Sequence, residues 1–205
     1  MRAALTLGMY KVALAAFAMA ATPALADEET VPSKLASPGI YERIELGFKL
    51  CANHVLQRGH LAKQHTEFLA GMNVELVDTV PDDVLQSSAP VFPRDRVYAR
   101  LNGENADVHI ITAKGHYACR VIISETDDAI RHRINFVDAL RKTSAWTYDE
   151  RRSGMRGQML WEELTTANGQ MVAIMNGPNT VLDGGKGVQG LLTVGLIPPT
   201  AKRVK

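Results

Sequence analysis

Cysteine is scarce. The 205-residue sequence holds two, Cys51 and Cys119, too few for the cross-linked framework of a small disulfide-stapled scaffold. Net charge is nearly absent as well, with 23 Lys and Arg against 22 Asp and Glu. Without a positive excess or a long basic stripe, nothing draws nucleic acid or an anionic bilayer as partner. The 16 glycines and 9 prolines follow no collagen-like period, and hydrophobic residues make up 46% of the chain, which excludes a collagenous or wholly disordered protein. Long apolar runs are also missing: residues 12–21 are too short to span a bilayer, and no other stretch approaches a span.

The amino end nevertheless carries a pattern. Arg2 and Lys11 supply positive charge, the apolar run follows, and Ala24-Leu25-Ala26 places small residues where a signal peptidase reads. These features predict a cleaved signal peptide over residues 1–26. Its loss removes two basic and no acidic residues, turning the formal charge from +1 to −1, and takes Met1, Met9 and Met19 with it. The expected product is soluble, periplasmic or secreted, with no stable membrane insertion after cleavage. Residues 27–39, with Pro32 and Pro38, read as an irregular leader. Residues 40–179 read as a single α+β domain, and residues 180–205, around the stretch DGGKGVQG, as a glycine-rich C-terminal tail.

From residue 40 the apolar period is helical: Ile44, Phe48, Cys51 and Val55 recur at spacings of four, three and four. After an interruption at Arg58-Gly59, the positions Leu61, Phe68, Leu69 and Met72 continue on a rotated face. Beyond a proline-containing loop the period becomes alternating. A short strand is expected at 97–101, and a hairpin runs from 108–112 back through 117–124 around Lys114-Gly115, which sets Ile110 opposite Cys119. A second helix is expected over 128–142, with Ile130, Ile134 and Val137 as its buried stripe. A second hairpin, 158–165 returning as 171–176, turns at Asn168-Gly169. The predicted fold is α+β: an antiparallel sheet built from two hairpins, in the order α-ββ-α-ββ, with helices packed on one face.

Each cysteine falls on the apolar side of its element. In an oxidising compartment this predicts a disulfide between Cys51 and Cys119.

No motif for catalysis or a cofactor is found. The six histidines do not share a local setting with metal-ligand spacing; His54 and His65, eleven residues apart, would lie about 16 Å apart along one helix. Gly184-Gly185-Lys186-Gly187 lacks the first glycine and the Ser or Thr of a phosphate loop. Glu162 and Glu163 are adjacent on a strand and face opposite sides. No metal and no cofactor is therefore expected.

The second sheet face is the informative feature. Met159, Trp161, Glu163, Val172 and Ile174 lie opposite the core side of one hairpin, and His109, Ile111, Ala118, Arg120 and Ile122 opposite that of the other. Neither set is simply polar, whereas a one-sided antiparallel sheet offers water a polar face. Three covers compete: the segment LLTVGLI or the loop 73–96 of the same chain, an envelope protein or second copy docked there, or a small ligand. In the last case Trp161 is the platform and His109, Arg120 and Glu163 are the polar contacts. The resulting expectation is a non-catalytic binding or interaction module of a bacterial-type cell envelope. A small hydrolase-like periplasmic enzyme, its site assembled only in three dimensions, is the alternative.

Overall fold

The computed structural model describes residues 38–57, 61–92, 94–114 and 116–197. The expected signal peptide, the leader up to residue 37, the interruption at Arg58-Gly59 and His60 lie outside the described residues.

Helix α1 (Ile40–Gln57) buries Ile44, Phe48, Cys51 and Val55, the stripe that its spacing predicts. A single tight turn (Lys63–His65) and α2 (Thr66–Ala70) follow. Leu61 and Leu69 are buried, but Phe68 is 61% exposed, because α2 has only five residues and turns one of them, Leu69, to the core. The remaining elements are β1 (Val74–Val77), α3 (Asp82–Ser88), β2 (Arg96–Leu101), β3 (Asp107–Ala113), β4 (Ala118–Ser124), α4 (Ala129–Arg141), β5 (Trp146–Tyr148), β6 (Gly154–Arg156), β7 (Met159–Thr166), β8 (Met171–Pro178) and β9 (Val188–Leu196).

The nine strands form one antiparallel sheet in the order β1-β2-β3-β4-β9-β8-β7-β5, with β6 beside β5 on the same edge of β7. Two meanders, β1–β4 and β5–β9, thus meet through their last strands, with Val121 of β4 opposite Leu192 of β9. The α+β class with one disulfide stands. The order α-ββ-α-ββ does not, because the two expected hairpins are only interior parts of this larger sheet. The expected C-terminal tail is corrected in part: residues 198–205 lie outside the described residues, while LLTVGLI, all but Ile197, belongs to β9, at the centre of the sheet. Its glycines Gly190 and Gly195 are buried there, and strand pairing on both sides leaves no room for a loose segment.

The β3–β4 turn spans four residues rather than two, so Thr112, not Ile110, stands opposite Cys119. A shift of two residues keeps each side chain on its face. Cys119, Val121, Ile123, Val108 and Ile110 accordingly share the main core with α1 and α4. Cys51 and Cys119 are bonded, Cα to Cα 5.2 Å, and tie α1 to β4. Gly47 lies on the same side of α1, where a Cβ would come within 3.0 Å of the Val121 methyls.

The expected stripe of the second helix is wrong by a rotation. Ile134 is 41% exposed, and the buried residues of α4 are Ala129, Arg133, Phe136 and Val137. The cause is a buried arginine, invisible to an apolar period. Arg133 donates from Nη2 to the Pro178 carbonyl at 2.8 Å and from Nη1 to that of Gln189 at 3.4 Å. Helix α1 does the same with Arg43, which donates to the carbonyls of Ala106 at 2.8 Å and Glu104 at 2.5 Å. Each guanidinium rests against a glycine. A Cβ on Gly103 would lie 2.7 Å from Arg43 Nε, and one on Gly177 would lie 1.9 Å from Arg133 Nη1. Both helices are therefore pinned to backbone carbonyls at the same end of the sheet, Arg43 to those of the β2–β3 turn and Arg133 to those at the end of β8 and the start of β9.

Candidate functional site

The strand register places the expected site residues in rows across the second face. One row runs Ile111, Arg120, Thr193, Ile174, Glu163; its neighbour runs His109, Ile122, Leu191, Asn176, Trp161. All four expected site residues thus share a face. At about 4.8 Å per strand, Arg120 and Glu163 are ~14 Å apart and His109 and Trp161 ~19 Å apart. They form two pairs rather than one cleft.

The pair on the first meander is covered. Helix α3 and its flanks lie over this part of the second face, so helices pack on both faces of the sheet, not on one. Asp82 and Asp83 in the first turn of α3 suit the positive end of its dipole. Val84 and Phe92 are fully buried against Ile111, Ala113 and Ile122, with Val80, Val91 and Tyr98 around them. The loop 73–96 is thus the cover here. Arg120 is held beneath it, donating from Nη1 to the Ser87 carbonyl at 2.5 Å and from Nε to Thr193 Oγ1 at 2.9 Å. His109 is 4% exposed. Burial holds its imidazole below the usual histidine range, with Arg100 acting the same way and Asp107 and Asp83 opposing. Arg120 is thus half-buried and committed to two partners within the chain, and His109 is closed off from solvent.

The pair on the second meander is divided: Glu163 is buried, 6% exposed, while Trp161 is half-buried. Met159, Trp161, Val172 and Ile174 are only half-buried, whereas Leu191 packs against the covered cluster and Thr193 accepts from Arg120. Arg156 of β6 stacks its guanidinium 4.4 Å from the Trp161 ring centre, a cation–π arrangement. The indole Nε1 has no hydrogen-bond partner among the described residues. Arg152 Nη1 lies 3.0 Å from Glu163 Oε1, and the Glu163 amide donates to Ser153 Oγ at 2.9 Å. Sequence reasoning found Trp161 and Glu163 but missed Arg152 and Arg156. The run RRSGMRG directly before β7 was the available signal, since alternation puts one of its arginines beside the tryptophan once β6 pairs with β7.

Glu162, on the opposite side of β7, is buried, and burial raises its carboxyl above the usual range against the pull of Arg133. The second buried polar pair lies near the far end of α1. Thr112 Oγ1 is 3.0 Å from His54 Nε2 and donates its hydrogen to the Ala118 carbonyl at 2.9 Å. Its one hydrogen is committed to that carbonyl, so Thr112 accepts from His54 Nε2–H. This is the reverse of a base activating a nucleophile. Among the described residues, no three His, Cys, Asp or Glu side chains gather as a metal site, and no helix is long and apolar enough to cross a membrane.

No family model, curated protein or solved structure matches the chain.

Proposed function

We propose that this chain is an exported, non-catalytic binding module of the cell envelope. Its contact surface is the open half of the second sheet face. The observation that carries this reading is the contrast across one face: apolar side chains sealed beneath α3 over β3, β4 and the near side of β9, and Met159, Trp161, Val172 and Ile174 left half-buried on β7 and β8. Contiguous apolar surface of this kind marks interaction sites, and tryptophan and arginine are the residue types that most often anchor them. Arg152, 3.0 Å from Glu163, and Arg156, stacked on Trp161, line the margin of the patch. The occupant it fits is therefore a protein surface with an apolar centre and carboxylates at its rim. The disulfide supports an oxidising, exported setting.

A photo-crosslinking amino acid at Ile174 in the full chain tests the reading in envelope fractions. The expected result is one discrete heterologous adduct, lost in Trp161→Ala and weakened by salt. An adduct of twice the chain's own mass, or adducts unaffected by Trp161→Ala, would overturn it.

A further inference from the structure

A second place on the molecule has the makings of a ligand site, independent of the Trp161 face. Between the carboxy-terminal half of α1, the turn at Lys63–His65 and the β1–β2 edge lies a cavity of about 670 Å³. That volume falls within the range of small-molecule sites. In sheet order β2 is five strands from β7, roughly 24 Å, so the two regions do not merge.

The walls combine two chemistries. Leu61, Leu76, Val77 and Val97 contribute apolar lining, and Lys63, Arg96 and Lys114 contribute cations against a single carboxylate, Asp78. At the inner wall is His54, 4% exposed and fixed by its bond to Thr112. The disulfide at Cys51, one helical turn before His54, and the His54–Thr112 bond hold α1 on both β3 and β4, so this wall is rigid. Arg96 is partly committed, donating its Nε to the Phe92 carbonyl. The exposed amines of Lys63 and Lys114 carry the available charge.

We infer that this cavity binds a small amphipathic monoanion, its acyl or aryl body against Leu61, Leu76 and Val97 and its carboxylate drawn to Lys63 and Lys114. An apolar body gains burial, and a lone carboxylate meets three cations against one acid at the rim. A dianion or a cation fits worse: Asp78 is on the rim, and no cluster of acids is there to hold positive charge.

Octanoate and octanol, titrated into the mature protein and followed by amide NMR shifts, separate the two contributions. Octanoate is expected to saturate at millimolar concentration or below, with shifts confined to Leu61, Leu76, Val97 and Lys114. Octanol is expected to bind about tenfold more weakly. The double variant Lys63→Ala/Lys114→Ala, which alters only exposed side chains, should bring octanoate down to the octanol level and leave octanol unchanged. Leu76→Trp, checked for folding by its circular dichroism, should block both. Absence of saturation by octanoate, shifts spread over the Trp161 face, or an octanoate affinity indifferent to the two lysines would each overturn the inference.

Discussion

The two meanders differ in what their first connection does. Between β1 and β2 the chain inserts Val80, Val84, Val91 and Phe92, and this connection crosses the second face and seals it. Between β5 and β7 it inserts Asp149, Glu150, Arg151, Arg152 and Arg156, and this connection stays at the sheet edge as β6. An apolar connection gains by lying on a sheet, whereas a charged one would lose its hydration there. The strands beneath carry apolar residues on this face in both halves, so the difference in cover lies in the connections.

Removing the disulfide should be the largest single loss. Cys51→Ser/Cys119→Ser opens a loop of sequence separation 68, worth about 4 kcal/mol in the chain-entropy model. Urea unfolding of the two proteins measures it. The expected loss affects both halves together, because β4 carries the bond and also joins the meanders.

Phe92→Ala strikes the comparison itself. Truncating a fully buried phenylalanine costs roughly 3–5 kcal/mol, and here it also weakens the seal over Ile111 and Ile122. The covered half should then exchange its amides faster and resemble the open one, a result that hydrogen exchange resolved by strand would report.

The buried arginines allow a finer cut. Arg133→Met removes donors from the Pro178 and Gln189 carbonyls, each charged hydrogen bond worth about 1.5–3 kcal/mol, and should loosen α4 and the β8–β9 connection before the first meander. Arg43→Met should loosen α1 and the β2–β3 turn instead. Equal effects on both regions from either variant would mean that the meanders unfold as one unit.

A smaller effect is expected with pH. His109 is held neutral by burial, so its folded pKa lies below its unfolded value of about 6.5. The unfolded chain binds the extra proton, and the stability contributed by the neutral ring is complete above that value and lost as pH falls through it. Thermal unfolding of the parent should therefore weaken between pH 7 and pH 5 more than that of His109→Asn. Charges facing the ring come from Asp107 on its own strand, Arg100 on β2 and Asp83 on α3.

Much of this architecture is legible in residue order. The stripe of α1, the face of each cysteine and the apolar character of both sheet faces follow from periodicity alone. What periodicity misses is long-range pairing. Nothing local says that LLTVGLI will pair with β4 and β8 at the centre of the sheet, since a glycine-containing strand after a glycine-rich loop reads as a tail until its partners are known. Arg43 and Arg133 are hidden for a related reason: a buried guanidinium is tolerable only where backbone carbonyls distant in sequence receive it. The site suffers the same way. His109 and Arg120 share a face with Trp161 and Glu163, but the strand order sets them apart and α3 with its flanks lies over them.

The central claim is that the open half serves contact and the covered half serves stability, and Trp161→Ala tests it most directly. Urea unfolding and the Ile174 photo-crosslink are measured on the same preparation. The account predicts a stability change within about 1 kcal/mol, as for a partly exposed side chain, together with loss of the adduct. Destabilisation as large as that of Phe92→Ala with the adduct retained would contradict it.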